Sequence, residues 1–326
     1  MSYRFNLLRA LAIIFVIIGH YLCHHHNWGF FYNLSMHTVA MGLFFTISGF
    51  LIYQSATKSS SMMIFMKRRL FRIIPSIFAI SIAFTLLYFI LKYCDSGINY
   101  HLMHPKFAIR ATTLSGDFFN NLNIYGIDFW SLHTEFRFYI ILFISMLIKT
   151  KNNTKSIMIM VGIFAMALMS MYVLDLNSGF SYPMWNWLCI AYIFFGILIY
   201  LYSEKLISLK VFGVLYIILY ISIAMLKIVI FKQGLFFMDS YFVGIIIATF
   251  IILYGKNIKE NKIVNHIADI SYPLYLTHHF CIARFGLVGI FISIIISEII
   301  HFIVEKPFIE YSKISTLSIL GYKIIR

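Results

Sequence analysis

Long apolar runs separated by short polar stretches dominate this chain. At about 20 residues per membrane crossing, the pattern predicts ten helices, over 4–22, 37–55, 74–93, 129–148, 156–174, 185–202, 210–230, 239–254, 267–284 and 286–303. The runs are continuous rather than alternating, which argues against a β-barrel. The expected fold is an all-α polytopic membrane protein, a bundle of about ten transmembrane helices. The even number puts both termini on one side of the membrane.

Composition agrees with the pattern. Of 326 residues, 61% are hydrophobic and only 12% are charged, and the mean hydropathy is +0.87. Soluble domains carry roughly twice that charged share. The first run ends Gly19-His20-Tyr21, which is no small-residue cleavage site, so it is expected to stay as a helix.

Charge then sets orientation. The net charge is +14, but the basic residues sit in short loops, so membrane orientation accounts for them and nucleic acid is not implied. Most fall on the side that holds the N-terminus, including the stretch Lys67–Arg72 and the chain beyond Lys306. The opposite side holds only Lys92, Lys106, Arg110, Lys232 and Arg284. That asymmetry predicts a cytoplasmic N- and C-terminus. No appended soluble domain or repeat is evident, so residues 1–326 read as one integral-membrane domain. The longest loop, about 94–128, is expected outside, long enough for a lid or a partly re-entrant element. Four cysteines (Cys23, Cys94, Cys189 and Cys281) show no metal-ligand spacing. Cys23 and Cys94 fall on the outer side, where a disulfide between them is one alternative to two ordinary small apolar residues.

The candidate chemistry is intramembrane. Arg9 and His20 interrupt the first run eleven residues apart, close to three helical turns, so both project from nearly one face about 16 Å apart along the axis. Ionisable groups in a bilayer are costly and normally face a partner or a wet cavity. Ser48-Gly49, in the run FFTISGFLIY, supplies small residues for close helix packing. Arg69 and Arg72, in KRRLFRIIP, share a helical face and suit bidentate contact with phosphate oxygens; positive-inside anchoring accounts for them equally well. Pro75 then suits the start of the third span.

Glu135 and Arg137 stand about two turns inside the fourth span. A carboxylate at that depth needs a counter-charge, a proton or a histidine. Two readings stand side by side: a pair with His20 that orients the imidazole, or a structural pair with Arg137 or Arg9. Glu298 and His301, three apart, are placed to satisfy each other. The run His24-His25-His26 with His37 has no convergent metal-ligand geometry, so no metal is expected.

Taken together these stretches resemble acyltransferase family 3, integral-membrane enzymes that acylate sugars and other extracytoplasmic acceptors. The matching pieces are Arg9-x10-His20; FFTISGFLIY; Arg69-x-x-Arg72 followed by Pro75; Trp130-Ser131-Leu132-x-x-Glu135-x-x-Phe138-Tyr139; Ser271-Tyr272-x-x-Tyr275-Leu276-x-His278; and Glu305-Lys306-Pro307-Phe308. They occur in the family's order from the first span to the last. One departure is that Thr134-Glu135 stands where a glutamate pair is frequent.

The resemblance implies an O-acyltransferase, commonly an O-acetyltransferase, that uses cytoplasmic acyl-CoA, most often acetyl-CoA, as donor. It implies a bacterial cytoplasmic membrane and a surface-glycan acceptor such as O-antigen or capsule, with membrane lipids around the bundle. Family functional residues carry over as Arg9, His20, Arg69, Arg72 and Glu135. His20 is expected as general base with Glu135 orienting it, while Arg9, Arg69 and Arg72 hold the donor. The rival classes are a transporter or flippase, whose paired broken helices are not evident, and a non-catalytic sensor on the same fold.

Overall fold

The structure, a computed structural model, describes residues 2–25, 35–59, 61–93, 130–147, 161, 164, 181–231 and 236–319. Among the described residues every regular element is helical and no strand occurs. The elements are α1 (Tyr3–His25), α2 (Met36–Thr57), α3 (Met62–Tyr93), α4 (Trp130–Leu147), α5 (Ser181–Ser203), α6 (Leu209–Phe231), α7 (Phe236–Tyr254) and α8 (Lys262–Ile300). A π-helical turn (His301–Glu305) and α9 (Lys306–Ile319) follow. Five described segments are long and apolar enough to cross a membrane: Tyr3–Leu22, Met36–Thr57, Leu209–Ile228, Ser240–Asn257 and Lys262–Ser312. The expected crossing over 156–174 lies outside the described residues apart from 161 and 164, which are helical. The outer loop and the Cys23–Cys94 pairing lie outside them too. Ile217, Ile218, Ile221 and Met225 of α6 are exposed, the arrangement of a helix whose outer face meets hydrocarbon rather than water.

The chain divides into two compact units, Met1–Lys58 with Trp130–Ala268, and Ser59–Phe129 with Asp269–Arg326. In the first unit α2 is the hub, packed by α1, α5 and α7. Its residues are apolar or small nearly all round and most are buried, as expected of a helix enclosed on every side. Two glycine crossings allow this. Gly42 faces Gly244 of α7 and Gly49 faces Gly196 of α5; a Cβ at any of the four would overlap backbone of the opposing helix. Without a hydrophobic drive between helices in lipid, such close backbone approach is what small residues supply. At the start of α1, Arg4 donates to the Ile252 carbonyl and Asn6 Nδ2 donates to Asn265 Oδ1 at 2.9 Å.

The second unit holds α3, most of α8, the π turn and α9. Gly286 interrupts α8 with φ 56° and ψ −131°, a region that an L side chain enters only with strain. On either side of it the chain folds back as a helical hairpin. Thr277 Oγ1 lies 3.2 Å from Ser297 Oγ, and Gly289 meets the Cys281 carbonyl with no room for a Cβ. This is where the hydropathy pattern divides 267–284 from 286–303.

Two expectations need correction. Helix α3 starts at Met62, well before residue 74, and Pro75 lies inside it rather than at its start. No glycine or proline interrupts Met62–Ile74, so the basic stretch and the apolar run form one helix. Likewise the direct contact of His301 Nδ1 is Glu305 Oε2 at 2.9 Å, with Glu298 a weaker charge acting on the same ring. Residues three and four apart both share a helical face, and here the four-residue pair is the one that closes.

Candidate active site

Glu135 is buried one turn into α4. Its i+4 neighbour on the same face is Tyr139, whose hydroxyl donates to Glu135 Oε1. Ser48 Oγ of α2 donates to Oε2 at 3.4 Å, longer than an ordinary O–H···O bond. The Arg137 guanidinium lies 5.0 Å from the Trp187 ring.

His20, half-buried near the end of α1, lies beside the second residue of α2. The rings of His20 and His37 are stacked, with centroids 5.2 Å apart and planes 22° apart. Gly19 allows the approach, because a Cβ there would crowd the His37 backbone nitrogen. Ser35 Oγ lies 2.8 Å from His37 Nδ1 and 3.0 Å from Nε2.

Helices α1 and α2 run antiparallel in a register given by two ring contacts, His20 with His37 and Phe5 with Phe50 (5.0 Å). That register carries Arg9 to the level of Thr46–Ser48, and so to the level of Glu135. His37 and Ser48 are eleven residues apart on α2, about 16 Å of axis. Arg9 and Glu135 therefore share one level, and His20 stands three turns away beside a second imidazole. Of the two readings open for Glu135, the register favours the level of Arg9 over the level of His20.

Arg69 and Arg72 belong to the second unit. Both are half-buried on α3, three residues apart, whereas Arg68 is exposed. The Arg69 guanidinium lies 5.5 Å from the Phe65 ring and Lys67 Nζ lies 5.8 Å from Phe71. Phe71 in turn packs on Phe308 and Tyr311 of α9, at 6.3 and 5.9 Å, so α9 braces the basic turn. Tyr272 donates to the Ile73 carbonyl at 3.0 Å. His278 is fully buried, with Nδ1 2.7 Å from the Tyr275 carbonyl of its own helix.

Three features escaped the sequence reading. Ser48 and Tyr139 on Glu135 are one. The His20–His37 stack is another; a short connection between α1 and α2 was the signal, since it brings the end of one helix to the start of the next. The third is Lys227, fully buried on α6 with Nζ 5.1 Å from the Tyr241 ring and 5.7 Å from Tyr192. Those two rings are themselves stacked at 4.6 Å. Among the described residues no three His, Cys, Asp or Glu side chains are grouped to hold a metal ion; the side chains of His24, His25 and His26 lie outside them.

Compared with known families, the chain matches the acyltransferase domain of acyltransferase family 3 over residues 2–321. No curated protein and no solved structure matches the chain.

Proposed function

We propose that this chain, which belongs to the acyltransferase family 3 whose domain it matches over residues 2–321, is an O-acetyltransferase of a bacterial inner membrane. It moves an acetyl group from cytoplasmic acetyl-CoA to a hydroxyl of an extracytoplasmic glycan such as O-antigen or capsule. In this reading the chain crosses the membrane about ten times with both termini in the cytoplasm, as its cation distribution favours.

The chemistry is a proton-coupled acyl transfer. His20 takes the proton of the acceptor hydroxyl as that oxygen attacks the thioester carbon. The C–S bond breaks, and the proton passes from the imidazolium to the departing thiolate, leaving an ester, free CoA and neutral His20. General-base assistance of this kind is typically worth about 10²–10⁴-fold. Arg69 and Arg72 grip the phosphates of the donor. Arg9 donates to the amide carbonyls of its pantetheine arm, and Glu135, on the same level of α2, steadies Arg9 rather than His20.

The observation that carries this reading is the α1–α2 hairpin. It sets a half-buried imidazole at one end and brings a guanidinium and a buried carboxylate to one level three turns along. A membrane-embedded cation, carboxylate and imidazole are expensive groups, which favours a functional role over an inert one. The test is NMR of base-labile acetyl groups on the surface glycan of cells making wild-type or His20→Ala protein. The expected result is normal membrane insertion of His20→Ala with no acetylation. Normal acetylation by that variant would remove His20 as the base.

A further inference from the structure

We infer that His37 is the positioning residue of the base: its ring, held from behind by Ser35, fixes the orientation of the His20 imidazole. The inference rests on the assignment of His20 made above and adds a residue to that site.

Four observations lead there. First, the two rings stack at 5.2 Å and 22°, within the separation range at which flat rings attract. A base with a flat neighbour cannot turn freely about its Cβ–Cγ bond, and its nitrogens keep one direction. Second, Gly19 is part of the same device. Its missing Cβ is what lets the α2 backbone at His37 come down on α1, next to residue 20. Third, Ser35 stands at the N-cap position of α2 but makes no side-chain cap bond. A capping serine ordinarily stabilises its helix. Here the hydroxyl is committed instead to the His37 ring at 2.8 and 3.0 Å, while Thr38 Oγ1 donates to it at 3.0 Å. Thr38, Ser35, His37 and His20 thus form one line of contacts ending at the base. Fourth, the buried carboxylate of Glu135 lies three turns along α2 on Ser48 and Tyr139, at the level of Arg9 rather than of the base.

When His20 takes the acceptor's proton, its ring stays stacked on that of His37. His37 need not touch the acceptor or the thioester to act; it works through His20.

The experiment uses the full-length protein in lipid nanodiscs with acetyl-CoA as donor and glycan from the envelope of the producing strain as acceptor. His37→Ala is expected to lower kcat about tenfold to a hundredfold, the loss typical of a misplaced catalytic group, while KM for acetyl-CoA stays within about twofold. His37→Phe keeps a flat ring on His20 and is expected to recover most of the rate, which a purely structural polar contact would not. Ser35→Ala is expected to fall between, again in kcat alone, and it carries the test should His37→Ala fail to fold. Wild-type kcat in His37→Ala, or His37→Phe no faster than His37→Ala, overturns the inference. If His20→Ala is inactive while His37→Ala is fully active, this inference falls and the base stands. If His20→Ala turns over normally, both fall together.

Discussion

The hydroxyl of Tyr139 donates to the carboxylate of Glu135 one turn earlier on α4, and both side chains are buried. Tyr139→Phe keeps the ring and removes only the donor. A buried acceptor deprived of a partner costs about 1–3 kcal/mol. Tyr139→Phe is therefore expected to lower the thermal midpoint of the purified protein and to reduce acetyl transfer. Ser48→Ala, which loses a longer contact at 3.4 Å, should do less of both. A larger loss in Ser48→Ala, by thermal unfolding and by transfer rate, would reverse that order and with it the importance given to Tyr139.

The glycine crossings make a second prediction about the fold alone. Gly49→Ala would drive a methyl group into the Ile193 carbonyl, and Gly196→Ala into that of Thr46. Overpacking of this kind costs about 1–3 kcal/mol and occasionally more, and here the obstructing atoms are backbone. Both variants should yield less folded protein and lower thermal midpoints. Gly213→Ala on α6 is the control. Its Cβ would meet nothing within 4 Å, and alanine is the better helix former by about 1 kcal/mol. Equal losses in all three would mean that the crossings do not set stability.

What could be read from the chain depended on whether a single periodicity carried it. The helical class and the division near residue 285 were legible because hydropathy alone decides them, and Gly286 is the residue that permits the reversal. The start of α3 was not, because the basic cluster Lys67–Arg72 reads as a loop and Pro75 after it as a first-turn residue; yet Met62–Ile74 contains no breaker, and helix propensity carries through. The partner of His301 was ambiguous because residues three and four apart share one helical face, so Glu298 and Glu305 were both within reach of it. Both His20 and Glu135 were found as ionisable groups in apolar runs. Their separation along the bundle was invisible, because depth in a membrane depends on the register between helices. Here the Phe5–Phe50 and His20–His37 contacts supply that register.

Orientation can be checked directly. In a background where Cys23, Cys94, Cys189 and Cys281 are replaced, Ser2→Cys and Lys323→Cys are expected to react with a membrane-impermeant maleimide only after the cells are opened. Lys106→Cys should react in intact cells. This follows from the excess of cations on the side of the N-terminus, which is retained in the cytoplasm. Labelling of Ser2→Cys in intact cells would invert the topology and put the arginines proposed to bind the donor on the wrong side for cytoplasmic acetyl-CoA.

The last prediction concerns those arginines. Arg69 and Arg72 are half-buried on one face of α3, and Arg68 just before them is exposed. Contacts of guanidinium with phosphate are charge-assisted and worth about 1.5–3 kcal/mol each, so losing one should weaken binding roughly tenfold or more. Arg72→Ala is expected to raise KM for acetyl-CoA by that factor with kcat little changed, and Arg69→Ala/Arg72→Ala to raise it further. Arg68→Ala should leave KM within about twofold. Dephospho-CoA esters provide the complementary arm. If the pair holds the 3′-phosphate, the wild-type protein should prefer acetyl-CoA to its dephospho form, and the double variant should no longer distinguish them. Added salt should weaken the wild type more than the double variant, because screening acts on the contacts that the variant has already lost. Unchanged acetyl-CoA affinity in the double variant would leave α3 as a membrane anchor braced by α9 and move donor binding elsewhere in the chain.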